Sequence, residues 1–314
     1  MTQLLILGGG PAACAAAIFA RSRGLSVRVI DIPKRSRRLP GETVHPGVEP
    51  LLKQLDVWED VLSCGFHRHT GIWREGLNGD RNFDEYGRDD TGAWQGFQLD
   101  RILFHKILRE QAIRLGVDWI ETKDISLSLR DDQGWVIDTS SGLVNAELLI
   151  DATGRKAWLA DQIGLTPEFS TEIKRLHFGW EASNDKIVDS NPLFIQFEDG
   201  WDWISPIAAN LVAWVRLRNG SCYNGLDVTP RIFRECAGKN WFLIGDAACL
   251  TTPASGNGIL RALMSGILAA HHCVAISSRC ISSEDGVKAY RSWIGALWES
   301  SVLETSFSNA PKIA

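Results

Sequence analysis

The chain has 314 residues, of which 45% are hydrophobic, and a formal net charge of −5 at pH 7. This length is enough to bury one large core or two interleaved cores, and the acidic balance indicates no nucleic-acid partner. Its 7 cysteines form no C-x-x-C pair, which argues against a disulfide framework and a structural zinc site, so we predict no metal.

Two features of the sequence bear on location. The first strand starts at the N-terminus and leaves no room for a signal peptide. The most apolar stretch, residues 259–276, is interrupted by Arg261, Ser265, His271 and His272, so no run reaches the length of a membrane span. We therefore expect a cytoplasmic protein without a membrane span.

Residues 4–13 have the pattern of a buried strand, a glycine turn and the start of a helix. Gly8 suits a tight turn, Gly10 lets a pyrophosphate approach the backbone, and the small Ala13 lets the helix pack closely on the strand. Pro11 suits the first helical turn, where unpaired N–H groups and the helix dipole favour an anion. These residues predict a dinucleotide site.

A second strand, residues 26–30, is followed by Asp31, where the dinucleotide fingerprint places a carboxylate for the ribose hydroxyls. The periodicity then predicts further elements along the chain: a helix over 12–23, a helix over about 48–62, irregular chain over 63–97, a helix from Asp100 to about Leu115, strands at 117–121, 125–130 and 135–139 with a hairpin turn at 131–134, and an apolar run 146–150 that ends in Asp151-Ala152-Thr153-Gly154.

The middle of the chain is rich in tryptophan and differs from both ends. Residues 155–230 contain aromatic-rich strands, including 193–197, 201–204 and 211–217, which predict a separate sheet. After it, an apolar run reaches Gly245-Asp246 and is followed by Pro253-x-x-Gly256-x-Gly258. This second motif, taken with the first, indicates that the dinucleotide is a flavin.

These motifs, in this order, resemble the glutathione-reductase-type flavoproteins of the aromatic hydroxylase and flavin-dependent halogenase kind over nearly the whole chain. The resemblance implies an α/β fold, in which a Rossmann-like FAD-binding domain is interleaved with a smaller mixed-sheet substrate domain, as in aromatic hydroxylases. We place the FAD-binding domain at 1–70, 101–160 and 231–314, and the substrate domain at 71–100 and 161–230.

The resemblance implies FAD as the cofactor and, together with the fingerprint, the residues that hold it. Asp246 would accept hydrogen bonds from the ribityl hydroxyls, and bare N–H groups at 256–258 would face the negative pyrimidine edge of the reduced flavin. The residues expected to bind FAD are Gly8, Gly10, Pro11, Ala12, Ala13, Asp31, Ile32, Glu42, Thr43, Arg101, Ala152, Gly154, Gly245, Asp246, Pro253, Gly256, Asn257, Gly258 and Ile259.

Two further likenesses concern the branch of the superfamily. The segment 200–206 resembles the halogenase W-x-W-x-I-P motif with one extra residue, but Ser255-Gly256-Asn257-Gly258 stands where that family has Glu-Ser-Thr-Gly. The family also needs a lysine in a region where this chain has none between Lys53 and Lys106, so halogenation is disfavoured. Stretches 39–55 and 254–266 are similar to flavoproteins that mature tryptophylquinone enzymes by hydroxylating a tryptophan of the target.

The resemblance implies an FAD-dependent monooxygenase that hydroxylates an aromatic small molecule or a protein tryptophan through a flavin C4a-hydroperoxide. His45 is the candidate base, with the alternative that it only contacts the flavin or caps a loop. No second glycine fingerprint occurs, so electrons would come from NAD(P)H bound transiently or from a flavin reductase partner that supplies reduced flavin. A reductase of the geranylgeranyl-reductase type and a degenerate flavoprotein that serves as partner or chaperone stay open.

Overall fold

The structure, a computed structural model, describes residues 2–32, 42–131, 134–169, 173–182, 189, 191–208, 210–219, 225–253 and 256–308. Within these ranges the helices are α1 (Pro11–Ser22), α2 (Val48–Gln54), α3 (Trp58–Ser63), α4 (Arg101–Arg114), α5 (Trp158–Gln162), α6 (Gly258–Ser277) and α7 (Ser283–Ser308), with 3-10 turns at Gly154–Lys156 and Gly245–Ala247.

The strands in the same ranges are short outside the two main sheets. They are β1 (Thr2–Leu7), β2 (Val27–Asp31), β3 (Glu42–Val44), β4 (His67–His69), β5 (Gly71–Glu75), β6 (Arg81–Glu85), β7 (Arg88–Asp89), β8 (Gly92–Ala93), β9 (Gly96–Leu99), β10 (Asp118–Glu121), β11 (Ile125–Asp131), β12 (Gly134–Thr139), β13 (Gly142–Asp151), β14 (Glu168–Phe169), β15 (Lys174–Ala182), β16 (Leu193–Phe197), β17 (Gly200–Ala208), β18 (Leu211–Asn219), β19 (Leu226–Asp227), β20 (Arg231–Ile232), β21 (Ala237–Gly238), β22 (Trp241–Leu243) and β23 (Cys249–Leu250).

The first main sheet is parallel at its centre, in the order β10-β2-β1-β13-β22. Residues 4–7 of β1 are fully buried, as expected for a central strand of a parallel sheet that is covered on both faces. The antiparallel strands β11 and β12 extend the sheet beside the first half of β13. Because the five parallel strands point the same way, their carboxyl ends lie along one edge, where ligands bind in open α/β sheets.

The second main sheet has the order β19-β15-β18-β17-β16-β5-β6 and joins segments 71–85 and 174–227. One face carries a second hydrophobic cluster: Ile72, Leu176, Phe194, Trp201, Trp203, Leu217 and Val228. A small sheet, β3-β9-β4, borders the second main sheet, since its strands β9 and β4 contact β17. Its strand β3 contacts α6. The expectation of an α/β fold with a separate aromatic-rich sheet is confirmed, while the domain boundaries stay a prediction.

Most local predictions hold, and two are wrong. The helix from Asp100 is confirmed, and Asp100 caps it by accepting from the N–H groups of Ile102 and Leu103. The helix expected over 48–62 is two helices, because the chain turns between them at Asp56, which has a φ of +56°. Residues 63–97, expected to be irregular, form β4 to β8 and the start of β9. The strand β6 is exposed along its whole length, so it has no apolar alternation for the sequence to reveal.

The helix α6 is long and apolar enough to cross a membrane by length and composition, with a mean hydropathy of 1.6, and no other described helix passes that test. Arg261, Ser265, His271 and His272, which were expected to interrupt the apolar stretch, do not prevent α6 from meeting the criterion of length and composition. Within the structure 44% of the window is buried, and Gly266 packs against the backbone of α1 at Ala12. A helix buried in the core passes the same test, so composition alone does not distinguish the two cases.

The contact between α1 and α6 depends on the absence of a side chain at Gly266. A Cβ there would overlap the carbonyl oxygen of Ala12 and lie 3.2 Å from the amide nitrogen of Ala16. We expect Gly266→Ala to lower the free energy of unfolding by about 1 to 3 kcal/mol, because neither helix backbone can yield locally. Urea denaturation measures the change.

The matched control is Gly295→Ala in α7, where the nearest atom to a new Cβ is 3.8 Å away. The helix propensity of alanine should raise stability there by up to about 1 kcal/mol. Equal effects of the two substitutions would contradict the close packing of α1 on α6.

Candidate flavin site at the edge of the parallel sheet

The glycine turn after β1 is shaped by two positions with opposite surroundings. Gly8 has a φ of +104°, and a Cβ on it would lie 2.5 Å from the carbonyl oxygen of Ala152, so only glycine brings the ends of β1 and β13 this close. Gly10 is the N-cap of α1, and no atom of the described residues lies within 4 Å of its Cβ position. The space in front of Gly10 could therefore hold an anion at the start of α1, where Pro11 is partly exposed and Ala12 and Ala13 are buried.

Asp31 ends β2 and turns its carboxylate over Gly9, so that a side chain on Gly9 would overlap it. Burial raises the pKa of this carboxyl, while the positive charge of Arg109 and the N–H groups of Ile32 and Gly9 partly oppose the rise. The acid thus lies beside the glycine turn, where the fingerprint expects a ribose acceptor. Ile32 is the last described residue before residue 42.

At the end of β13, Asp151 has a structural role. One of its carboxylate oxygens accepts from the N–H of Thr153 at 2.8 Å and the other from the N–H of Leu159 at 2.7 Å. It is fully buried, and burial raises its pKa. These bonds fix the turn that presents Ala152 against Gly8 and leaves open space around Gly154, which has a φ of +65°.

The turn after β22 reaches the same edge of the sheet. Gly245 has a φ of +57°, and its N–H donates to the hydroxyl of Ser265 on α6 at 2.9 Å. A Cβ on Gly245 would lie 3.2 Å from that of Ala12, so this turn meets the start of α1. The structure therefore brings together the predicted residues that follow β1, β13 and β22.

Asp246 presents an exposed carboxylate next to this junction. The protein that surrounds it raises the pKa of the carboxyl, and the positive charges of Arg101, Arg155 and Arg231 partly oppose the rise. Arg155 and Arg231 were not among the residues predicted to form the site. The signal for Arg155 was its position directly after Gly154, whereas Arg231 is far from every motif in the chain and only folding brings it here.

The N-terminus of α6 lies against the segment that starts at residue 42. The N-cap residue, Asn257, makes no capping hydrogen bond through its side chain, and Gly258 and the buried Ile259 begin the helix. A carboxylate oxygen of Glu42 lies 3.4 Å from the Cβ position of Gly258, and its other oxygen forms an ion pair with Arg101 at 3.1 Å. Glu42, Arg101 and Gly258, all predicted to bind FAD, are thus neighbours.

Thr43 differs from what was expected of it. Its hydroxyl donates to the side-chain oxygen of Gln98 at 2.9 Å and accepts from the indole N–H of Trp203 at 2.8 Å, and the hydroxyl of Ser205 is also at 2.9 Å. All four side chains are buried. The hydroxyl of Thr43 is fully used within the protein, so any contact with a cofactor would have to come from its backbone.

Trp203, which the sequence analysis noted only as part of an aromatic motif, borders the start of α6. Its ring lies 3.6 Å from the Cβ position of Gly256, as does the carbonyl oxygen of Thr43. Gly256 has a φ of +63°, and its N–H donates to the carbonyl of Pro253 at 3.2 Å. The glycine loop before α6 therefore lies against an indole ring.

His45 is half-buried, and its Nδ1 atom is used within the protein, while its role as a base stays a prediction. The N–H of Gly47 donates to Nδ1 of His45 at 3.0 Å, and burial lowers the pKa of the ring. The neutral ring therefore carries its proton on Nε2, where it is a donor. Tyr86 packs edge-on against His45, with ring centroids 5.0 Å apart. The ring of Tyr86 also lies beside that of His69, with centroids 5.4 Å apart.

Parts of the two stretches that are similar to the flavoproteins maturing tryptophylquinone enzymes lie outside the described residues: 39–41 of the first and 254–255 of the second.

The network around Thr43 yields a stability prediction. Thr43→Val keeps the shape of the side chain but leaves the buried indole N–H of Trp203 without its acceptor, and Gln98 and Ser205 lose a partner. We expect the free energy of unfolding to fall by about 1 to 3 kcal/mol in urea denaturation. The control is Thr91→Val, whose hydroxyl bonds Asp89 at the exposed surface and should cost less than about 1 kcal/mol. Equal costs would contradict the role of the buried network.

Comparison with known proteins identifies relatives along the whole chain. Residues 3–172 match the family model described as FAD dependent oxidoreductase. A 1H-pyrrole-2-carbonyl-[peptidyl-carrier protein] chlorinase of Pseudomonas fluorescens is 22% identical, and the match covers 99% of this chain and 86% of the relative. A tryptophan 2-halogenase of Chondromyces crocatus is 26% identical over 86% of this chain, which spans only 60% of that relative's length.

Solved structures share the fold. The flavin-dependent brominase Bmp2 superposes with a TM-score of 0.79 and 18% identity, covering 94% of this chain and 83% of the brominase. The peptidyl tryptophan dihydroxylase QhpG, essential for tryptophylquinone cofactor biogenesis, superposes with a TM-score of 0.72 and 21% identity, covering 95% of this chain and 72% of the other. At these identities the likeness establishes the fold and leaves the substrate open.

Proposed function

The chain belongs to the FAD dependent oxidoreductase family, and on that premise we propose that it is a monooxygenase that inserts one oxygen atom from O₂ into an electron-rich aromatic ring. The observation that carries the proposal is the indole of Trp203 against Gly256 at the start of α6. An aromatic surface at the edge expected to face the flavin ring suits a flat aromatic substrate.

The residues present fit FAD along the edge of the parallel sheet. Open space in front of Gly10 would admit the pyrophosphate to the start of α1, and Asp31 would accept from the adenosine ribose. Asp246, exposed and surrounded by arginines, would accept from the ribityl hydroxyls. The start of α6, at Asn257 and Gly258, would offer N–H groups to the pyrimidine edge, whereas the N–H of Gly256 is already used by the carbonyl of Pro253.

Reduced FAD, when bound, supplies the activation of O₂; the protein's contribution is binding, orientation and exclusion of water. Trp203 and Tyr86 would form apolar walls for the substrate ring, since both pack in or against the second hydrophobic cluster. His45 would donate from Nε2 to an oxygen atom of the substrate or cofactor. The alternative in which His45 contacts the flavin thus gains support over the base.

The source of electrons and the identity of the substrate are part of the proposal. Reduced flavin would come from a separate reductase, or NAD(P)H would bind transiently. The likeness to QhpG supports a tryptophan within a peptide as one candidate substrate, and the chlorinase supports a ring carried on a protein. In both cases the ring is presented by a macromolecule.

Halogenation is the second candidate, because both sequence relatives described above are halogenases. This finding weighs against our expectation that halogenation is disfavoured. The absence of lysine between Lys53 and Lys106 still separates this chain from the halogenase pattern, and for that reason we rank oxygen insertion first. A reductase and an inactive partner protein remain as outcomes of the assays.

The cofactor placement is tested by Gly10→Ala. A Cβ there meets no protein atom within 4 Å, and the φ of −80° suits alanine, so the variant should fold as well as the wild type. It should bind FAD at least about tenfold more weakly, because the methyl group fills the space for the pyrophosphate, a loss of about 1.4 kcal/mol. FAD titration by fluorescence measures it.

The control for this test is Gly76→Ala, at a loop position where the nearest atom to a new Cβ is 4.0 Å away. It should leave FAD affinity unchanged. Wild-type affinity in Gly10→Ala would contradict the placement of the pyrophosphate.

The reaction is tested by supplying reduced FAD from a reductase, isotopically heavy O₂ and a panel of pyrrole, indole and phenol compounds with a tryptophan-containing peptide. Each reaction is run with and without bromide. We expect heavy oxygen in one product and no brominated product. A brominated product would favour halogenation, substrate reduction under anaerobic conditions would favour a reductase, and FAD binding without any product would favour the inactive partner.

A further inference from the structure

The carboxylate of Glu42 lies between two positive groups, the N-terminus of α6 and the guanidinium of Arg101. One carboxylate oxygen is 3.4 Å from the Cβ position of Gly258, the first residue of the helix. The other is 3.1 Å from the guanidinium of Arg101. The two side chains are only 21% and 27% exposed, so solvent screens their charges less than at an open surface.

This end of α6 has no side-chain cap within the part of the chain that the structure describes. Asn257 occupies the N-cap position without a capping hydrogen bond, and its side-chain oxygen is buried without a partner among the described residues. The first-turn N–H groups carry the positive end of the helix dipole. Glu42 therefore places a full negative charge at the point where a bound flavin would place its own.

The positive charge of Arg101 acts on three nearby side chains. It pairs with Glu42, it opposes the rise in the pKa of Asp246, and, after burial, it is the second cause that lowers the pKa of His105 to about 4. His105 is therefore neutral near pH 7 and adds no positive charge. The charge at the start of α6 depends on the balance between Glu42 and Arg101.

We propose that Glu42 sets the reduction potential of the bound flavin by placing a negative charge beside its pyrimidine edge. Reduction adds two electrons and one proton to FAD, so the reduced form is an anion, and the electrons come from the reductase, NAD(P)H or a chemical reductant. The Glu42 carboxylate disfavours this anion and holds the guanidinium of Arg101 partly neutralised. The inference rests on the placement of FAD in the proposed function, and goes beyond it by assigning Glu42 a role in tuning rather than in binding.

The test is the midpoint potential of protein-bound FAD, measured against a reference dye during slow anaerobic reduction. Glu42→Gln removes the charge and keeps the shape, so we expect at least a tenfold shift towards reduced flavin. For a two-electron couple this equals a rise of about 30 mV. Arg101→Gln should lower the potential, and the double variant should lie between the two single variants.

The matched control is Glu49→Gln on α2. Glu49 forms an ion pair with Lys53 at 2.7 Å and is 36% exposed. Glu49→Gln should change the equilibrium between oxidised and reduced flavin by less than about twofold relative to the wild type. Urea denaturation of each variant separates a change in potential from a loss of folding.

The outcomes separate this inference from the proposed function. If wild-type protein binds no FAD, the proposed function fails before any potential is measured. If wild-type protein binds FAD and Glu42→Gln has an unchanged or lower potential, the role of Glu42 is overturned while the FAD site stands. If Glu42→Gln loses FAD, the midpoint potential of Arg101→Gln becomes the test. An unchanged or raised potential in Arg101→Gln then overturns the inference. Loss of FAD in both variants also overturns it, because tuning residues leave the cofactor bound.

Discussion

The site depends on one close approach, between the end of β1 and the end of β13. Gly8 lies so near Ala152 that a Cβ would be 2.5 Å from the carbonyl oxygen, and Gly266 makes a comparable contact between α6 and α1. These two contacts bring the starts of both helices and the turn at Gly245 to the same edge of the parallel sheet. The open space at Gly10 follows from this arrangement, because no side chain of the described ranges fills it.

Carboxylates and arginines share the cleft beside this edge. The surrounding protein raises the pKa values of Asp31 and Asp246, and nearby arginines partly oppose the rise. Burial also raises the pKa of Asp151, but both of its carboxylate oxygens already accept hydrogen bonds from the turn that it stabilises. Glu42 has a different position, at the positive end of α6, and for this reason we propose that its charge acts on the flavin ring rather than on the sugar.

What the sequence predicted well is local. The turn at Gly8 and Gly10, the cap at Asp100 and the motif around Asp246 are each encoded within a few residues, and the parallel strands carry them to a common edge. What it missed depends on distant segments meeting. Trp203 bonds Thr43 only because β17 and the strand β3 become neighbours in the folded chain.

The sequence also identifies some candidate site residues without revealing the partners that determine their chemistry. The tautomer of His45 is set by the N–H of Gly47, and its ring position by Tyr86, which lies in a segment expected to be irregular. Short exposed strands such as β6 lack the alternation that reveals longer ones. The sequence therefore predicts the cofactor end of the site better than the substrate end.

The most direct measurement of the central claim is the reaction of the FAD-loaded, anaerobically reduced protein with O₂ in a rapid-mixing spectrometer. The account predicts that FAD binds, and that reoxidation passes through a transient oxygen adduct before the oxidised spectrum returns, with an aromatic substrate consumed in proportion. Reoxidation in a single step without any adduct would contradict oxygen insertion, and failure to bind FAD when it is supplied in excess would contradict the site itself.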